Sequence, residues 1–83
     1  MTSLKIHLNS VEKVKNFVQI ISRLEGEFDL GSRRYVVDAK SIMGIFSLDL
    51  GHTLRLDIHD DAQVEDVKQE LREFMVTEHE ANS

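Results

Sequence analysis

Cysteine and proline are both absent from the 83 residues, and no long hydrophobic run is present. Without cysteine the chain has no disulfide, no thiolate metal site and no thiol nucleophile, which fits a reducing compartment. Without proline it has no rigid turns that would mark loops in the sequence. No segment approaches the roughly 20 apolar residues of a membrane span, and the first residues lack the apolar run of a signal peptide. These absences predict a soluble cytoplasmic protein.

Acidic residues outnumber basic ones, and the formal net charge is −5 at pH 7. The excess is concentrated in residues 57–80, which carry nine carboxylates against one lysine and one arginine. Binding to nucleic acids and to anionic membranes depends on clustered Lys and Arg, so we expect neither as a partner. We interpret the acidic segment as the solvated face of a last helix rather than as an acidic docking surface.

The length predicts one domain, residues 1–83, whose core takes up most of the 41% hydrophobic residues. Residues 4–8 alternate between apolar and polar, as in a strand with one wet face. An amphipathic helix of about fifteen residues follows. Asn9 or Ser10 would cap it, with Glu12 completing a capping box that begins at Asn9, and Gly26 would end it.

Turn residues and apolar periodicity divide the rest of the chain into further strands and helices. We predict strands at roughly 28–31 and 33–38 around a turn at Gly31–Ser32, followed by a short helix from Ser41. A fourth strand runs from Leu54 to Ile58. Asp60 or Asp61 caps a final helix, whose apolar stripe consists of Val64, Val67, Leu71, Phe74 and Met75. The polar tail from Thr77 to Ser83 is expected to fray. By pattern alone, this order of elements predicts a two-layer α+β domain.

The seven residues from Ile42 to Leu48 include five apolar ones. Ile45 and Leu48 fall on one face of a helix, whereas Ile42, Met43 and Phe46 fall on a neighbouring face. A short helix cannot bury both faces, so we expect the second set to be exposed as a docking surface. The alternatives are that the helix tips so that these residues complete the core, or that they cover a homodimer interface.

The stretch Lys40-Ser41-Ile42-Met43-Gly44, followed by Ser47-Leu48, resembles the regulatory-serine segment of HPr, the histidine-containing phosphocarrier of the bacterial phosphoenolpyruvate:sugar phosphotransferase system. Val18-Gln19 and Ser22 match typical HPr residues at the right distance, so the similarity extends over residues 17–50. The resemblance implies an HPr-like open-faced β-sandwich, in which three helices cover one face of a four-stranded antiparallel sheet in the order βαββαβα.

The same resemblance implies roles for residues of this segment. Ser41 would be a regulatory phosphorylation site, and Ile42, Met43 and Phe46 would bind an HPr serine kinase and transcriptional or transport regulators. A helix N-terminus stabilises an added phosphate through unpaired N–H groups and the helix dipole. The alternative is a plain N-cap serine, which contributes about 1 kcal/mol to stability. Gly44 is small enough to permit the close approach of another backbone.

The active-site motif of the family, Gly-Ile-His-Ala-Arg-Pro, aligns with Leu8-Asn9-Ser10-Val11-Glu12-Lys13. The carrier histidine then corresponds to Ser10, the phosphate-contacting arginine to Glu12 and the helix-starting proline to Lys13. A serine phosphate ester does not pass its group onward as a phosphohistidine does, and Glu12 would repel a phosphoryl group. We therefore expect Ser10 to be a helix cap, and we expect no catalytic residue, no cofactor and no enzyme activity.

The chain has four histidines that could replace the missing carrier. His7 lies on an outward strand position three residues before the expected site, and a displaced carrier at His7 stays open as an alternative. His52 follows a glycine in a loop. His59 alternates with Asp57 and precedes two more aspartates, which would give at most a weak cation site. Because the spacing is not that of a metal motif, we expect no metal.

These observations predict a bacterial regulatory or binding module of the HPr type that acts in the control of sugar transport and is switched at Ser41. It would be similar to the catabolite-repression HPr homologue, which also lacks the histidine and keeps the serine. The alternatives are an unusual phosphocarrier that uses His7, and a diverged interaction or dimerisation domain without phosphorylation.

Overall fold

The computed structural model describes residues 1–76, so the predicted fraying of Thr77–Ser83 lies outside the described residues. The elements in chain order are β1 (Thr2–Ile6), α1 (Val11–Ser22), β2 (Phe28–Gly31), β3 (Val36–Asp38), α2 (Ile42–Phe46), β4 (Leu54–Ile58) and α3 (Val64–Glu70). A 3-10 turn at Asp61–Gln63 precedes α3, and another at Arg72–Phe74 follows it. The predicted order of strands and helices is confirmed.

The four strands form one antiparallel sheet in the order β1-β4-β2-β3. Leu4, Leu56 and Leu30 lie side by side across three strands, and all three are buried on the face that the helices cover. Their neighbours along the strands point to the opposite face, because successive side chains of a strand alternate. The predicted four-stranded antiparallel sheet, with helices on one face and an open second face, is confirmed.

The helices close the core with the faces that their periodicity predicts. Val14, Phe17 and Ile21 of α1 are buried, as are Val67 and Leu71 at the other helical end of the chain. The rings of Phe17 and Phe74 meet edge to face, with centroids 5.8 Å apart and an interplanar angle of 87°. Such pairs contribute about 0.5–1.5 kcal/mol beyond the burial of their area.

The structure shifts several predicted boundaries. The first helix has 12 residues, and the chain turns at Gly26, whose φ of +101° is accessible to glycine without strain. The third strand begins at Val36 rather than at residue 33, because Ser32 closes a turn: its N–H donates to the carbonyl of Tyr35 at 2.8 Å, and its Oγ accepts from the N–H of Tyr35 at 3.3 Å. Gly31 therefore lies in a strand and not in the turn.

The final helix is also less regular than its apolar stripe predicts. It is divided into a 3-10 turn, α3 and a second 3-10 turn. Asp60 is the cap, since its Oδ1 accepts a hydrogen bond from the N–H of Ala62 at 3.0 Å. Within residues 1–76, no helix is both long enough and apolar enough to span a bilayer.

Candidate functional site

Ser41 lies immediately before α2 and caps it. Its backbone is extended, its Oγ accepts a hydrogen bond from the N–H of Gly44 at 3.2 Å, and its carbonyl accepts from the N–H of Ile45 at 3.0 Å. The residue is exposed, so the hydroxyl can be reached from solvent. This is the geometry of an N-cap, and the same placement puts the hydroxyl beside the first-turn N–H groups of the helix.

The residues before Ser41 fix the start of α2. The carbonyl of Asp38 accepts from the N–H of Ser41 at 3.0 Å, and its carboxylate accepts from the N–H of Lys40 at 2.9 Å. Lys40 Nζ donates to the carbonyl of Leu24 at 2.7 Å and lies 5.6 Å from the centroid of the Phe28 ring. The Lys40 ammonium thus joins the end of α1 to this corner of the sheet and is not directed at Ser41.

The three apolar residues predicted to bind partners differ in exposure. Met43 is 77% exposed and Phe46 is 40% exposed, whereas Ile42 is half-buried against the core. Ile45 and Leu48 are buried, as their shared face predicts. We call Ile42, Met43 and Phe46 the α2 apolar patch; its outer part consists of Met43 and Phe46, and Ile42 forms its base.

Gly44 is closely approached by two side chains of its own chain. A Cβ added at this position would lie 3.1 Å from Cβ of Val37 and 3.2 Å from Oγ of Ser41. Side chains of β3 and of the helix cap therefore occupy the space beside it, and the approach of a partner's backbone stays a prediction. The absence of a side chain at Gly44 lets α2 pack tightly onto the edge of the sheet while keeping its cap.

The start of α1 carries the residues aligned with the active-site motif of the family. Ser10 caps this helix: its Oγ accepts a hydrogen bond from the N–H of Lys13 at 3.1 Å. Because Ser10 is the cap, the third helical residue is Lys13, and the predicted capping box between Asn9 and Glu12 is wrong. Glu12 lies exposed in the first turn, where a negative charge is favourable to the helix dipole.

His7 lies just beyond β1 and is half-buried rather than fully solvated. Its Nε2 is 2.8 Å from Oγ1 of Thr53, a hydrogen bond between the connection before α1 and the start of β4. Its backbone N–H donates to the carbonyl of Phe74 at 2.8 Å. The first bond engages the imidazole, and the second fixes the backbone of His7 at the end of the sheet.

The imagined cation site around His59 has other partners than those predicted. Nε2 of His59 lies 2.7 Å from the carboxylate of Asp29, and Nδ1 lies 3.9 Å from that of Glu27. Asp57 instead accepts hydrogen bonds from Ser3 and Arg55. In the part of the chain that the structure describes, no group of three or more His, Asp or Glu residues is arranged to hold a metal ion.

Among the carboxylates of residues 1–76, one has a clearly shifted pKa. The hydroxyl of Thr2 donates to Asp61 at 2.8 Å, and this hydrogen bond, together with the chain's amino group, lowers the pKa of Asp61 below its ordinary value. Asp61 follows Asp60 at the start of the first 3-10 turn and is exposed. It lies at the same edge of the sheet as the first residues of β1.

A surface that the sequence did not indicate is a groove on the open face of the sheet, at the end where β2 leads into β3. Lys5, Arg33, Arg34 and Arg55 all line it. Lys5, the adjacent pair Arg33-Arg34 and Arg55 lie far from one another in the sequence, and only the register of the strands brings Lys5 opposite Arg55 and Arg55 opposite Gly31. No local pattern could have revealed the cluster.

Comparison with known proteins identifies the fold. No protein-family profile matches the chain, and no curated protein matches it. Among solved structures, the crystal structure of HPr-C-His from Thermoanaerobacter tengcongensis matches with a TM-score of 0.75 and 26% sequence identity, over 89% of this chain and 91% of that one. The fold is HPr-like. The two chains correspond over nearly their whole lengths, so the likeness concerns the entire domain.

The starts of α1 and α2 are the candidate sites in this HPr-like fold. The sequence resemblance assigns the carrier motif to the start of α1 and the regulatory serine to the start of α2. Both starts are formed as predicted, with a serine cap at each.

Proposed function

We propose that this protein is a regulatory protein-binding module of the phosphotransferase-system type, switched by phosphorylation of Ser41, and that it is neither an enzyme nor a phosphohistidine carrier. The observation that carries the proposal is the exposed cap hydroxyl of Ser41 at the start of the same short helix that exposes the side chain of Met43. We further propose a bacterial cytoplasmic setting, in which an HPr serine kinase and transcriptional or transport regulators are the partners.

A phosphate on Ser41 would change the start of α2 strongly. It would bring a charge of about −1.5 to −2 and three acceptor oxygens to the first-turn N–H groups, including that of Gly44, which already bonds to Oγ. The five residues of α2, IMGIF, carry no charge of their own. The Lys40 ammonium is occupied by the carbonyl of Leu24. The Asp38 carboxylate also lies nearby, where it accepts from the N–H of Lys40, and the added phosphate charge would exceed either of these single charges.

The added charge would change which partners can bind to the α2 apolar patch. A partner that buries Met43 and Phe46 must also desolvate whatever lies beside them, and burying an unpaired phosphate is costly. A partner with an arginine at this place would instead gain charge-assisted hydrogen bonds. Phosphorylation would thus exchange one class of partner for another without any change in the fold.

The start of α1 supports the second half of the proposal. Ser10 offers a hydroxyl where the resemblance puts the carrier histidine, and this hydroxyl caps the helix. Glu12 offers a carboxylate where the family has an arginine, so the field there opposes a transferable phosphoryl group. The imidazole of His7 is already engaged by the hydroxyl of Thr53 at 2.8 Å.

The test is incubation of the full chain with ATP and an HPr serine kinase, followed by intact mass and site mapping. We expect one phosphate on the wild type, one on Ser47→Ala and none on Ser41→Ala. Ser47 is the matched control, because it is an exposed serine at the other end of α2 whose hydroxyl donates to the carbonyl of Gly44. Ordinary HPr in the same tube shows that the kinase is active.

Two outcomes contradict the proposal. An unmodified wild type beside modified HPr would mean that the segment keeps a fold and not a switch. An acid-labile phosphate on His7, formed from phosphoenolpyruvate and the general phosphotransferase enzymes, would instead make the protein a carrier.

A second candidate is an interaction or homodimerisation domain without phosphorylation, which the exposure of Met43 and Phe46 also favours. Light scattering distinguishes it, since a dimer would be disrupted by Met43→Asp and would be indifferent to Ser41→Asp.

A further inference from the structure

The open face of the sheet concentrates positive charge in a protein whose net charge is −5. Four of the ten lysine and arginine residues, Lys5, Arg33, Arg34 and Arg55, line one groove there. Among residues 1–76 the one carboxylate that lines it, Asp49, is already engaged by the N–H of Gly51 at 3.1 Å and by His52 at 3.3 Å. The groove therefore has an excess of cationic groups over acceptors.

The guanidinium of Arg55 is fixed by the carboxylate of Asp57. Its Nε donates to both oxygens of Asp57, at 2.9 and 3.2 Å, and Asp57 also accepts from the hydroxyl of Ser3 at 2.6 Å. Asp57 is only 9% exposed. The far end of the guanidinium lies on β2, where a Cβ added to Gly31 would be 2.8 Å from its Nη2. Asp57 thus fixes one edge of the guanidinium and leaves its terminal nitrogens toward the groove.

The other cations of the groove are unengaged as far as residues 1–76 are concerned. No ion pair of the described residues involves the side chains of Lys5, Arg33 or Arg34. Arg33 and Arg34 belong to the turn that Ser32 closes, so they project from a fixed backbone. Unpaired cations that converge on one groove favour an anionic occupant.

We propose that this groove binds a small molecule bearing a phosphate or pyrophosphate ester. A guanidinium presents parallel N–H donors that match two oxygens of a phosphate, and a phosphate group carries up to about twice the charge of a carboxylate. The groove measures about 920 Å³, within the range of small-molecule sites. The exposed Tyr35 lines the same groove and offers a ring to the organic part of the ligand.

The experiment is an NMR titration of the full chain with inorganic pyrophosphate, and in parallel with citrate at matched ionic strength. We expect saturable shifts at the amides of Gly31, Arg34 and Arg55 with pyrophosphate. Arg33→Gln/Arg34→Gln should weaken binding by at least about tenfold, because each arginine supplies charge-assisted hydrogen bonds. Lys13→Gln/Lys15→Gln is the matched control: it removes two exposed cations from α1, outside the groove, and should leave the affinity unchanged.

Gly31→Ala tests the position of Arg55 without removing a charge. Its Cβ would displace the guanidinium end, so pyrophosphate binding should weaken while the fold persists. This variant is preferable to Arg55→Ala, which would leave Asp57 without its cation.

The proposal is overturned if no shift saturates, if both double variants weaken binding equally, or if citrate binds as tightly as pyrophosphate. It is also overturned if a peptide with the acidic sequence of residues 77–83 binds in the groove more tightly than pyrophosphate. Gly31→Ala that binds like the wild type would contradict the role assigned to Arg55.

Discussion

The starts of α1 and α2 have the same cap but present different surfaces. In each, a serine with extended backbone accepts a hydrogen bond from the N–H three residues on, at 3.1 Å for Ser10 and 3.2 Å for Ser41. The residues that follow Ser10 include a carboxylate and a lysine in the first turn, whereas those that follow Ser41 are all uncharged. The cap geometry is therefore no guide to function, and the side chains around the cap must be considered.

The exposed apolar residues at the two helix starts differ in the charge of their neighbours. Val11 is 59% exposed and precedes Glu12, which is also exposed, so a docking partner would have to accommodate a carboxylate beside it. Met43 lies next to Gly44 and one turn from Phe46, with no charge in the helix. Interface hot spots favour such uncharged clusters of large side chains. This contrast favours α2 over α1 as the proposed docking helix.

The sharpest way to break the comparison is to place a charge at each start. We expect Met43→Asp to lower kcat/KM of the HPr serine kinase for this protein by at least about tenfold, the size of a strong interface contact. Val11→Asp, at a similarly exposed position of α1, should leave kcat/KM within about twofold. Circular dichroism should show that both variants stay folded. Equal losses in the two variants would mean that the kinase recognises both helices and that the α2 apolar patch is not special.

Much of the fold could be predicted because the alternation of apolar residues in strands and their spacing in helices follow directly from which side of each element is buried. Leu54, Leu56 and Ile58 alternate and are buried, and the stripe of the last helix turns inward at Val67 and Leu71. The start of β3 could not be predicted, since the side chain of Ser32 competes for backbone N–H groups that an extended strand would leave unpaired.

The sites were predictable to different degrees for the same reason. Ser41 and Met43 could be found because their helix is local in sequence. The burial of Asp57 could not be predicted, since its carboxylate is hydrogen-bonded by Ser3, which is 54 residues away, and by Arg55. The basic groove depends on strand register in the same way.

The comparison can be sharpened by removing each cap separately. Ser10→Ala and Ser41→Ala should each lower the free energy of unfolding by about 1 kcal/mol, because each leaves a first-turn N–H without its acceptor. In thermal unfolding this amounts to roughly 4–8 °C for a domain of this size. Asn9→Ala is the matched control: Asn9 is exposed and is not the cap. If Ser41→Ala abolishes phosphorylation and Ser10→Ala does not, two caps of equal stability have different functions. A large loss of stability in Asn9→Ala would show that the cap of α1 is assigned wrongly.

A smaller effect is expected from Glu12→Gln. The carboxylate in the first turn of α1 interacts favourably with the helix dipole, so its neutralisation should cost about 0.3–1 kcal/mol at low ionic strength. The cost should shrink in high salt, because exposed charges are screened. Urea unfolding at two salt concentrations measures it. Met43→Gln at the other start changes no charge, so its effect should not depend on salt. A salt-independent cost for Glu12→Gln would assign its role to packing.

The smallest effect concerns the third helix start, which has carboxylates where the other two have serines. The hydrogen bond from Thr2 lowers the pKa of Asp61, so Asp61 contributes stability above its ordinary pKa of 3.8 and loses it as the pH falls through the lowered value. Thr2→Val should raise the pKa of Asp61 toward that ordinary value, which the pH titration of its carboxyl carbon by NMR would show. Ser3→Ala, one residue further along β1, removes a hydroxyl that serves Asp57 instead and should leave Asp61 unaffected. Ser10 and Ser41 do not titrate in this range, so a pH-dependent loss of stability that Thr2→Val weakens distinguishes this start from the two with serine caps.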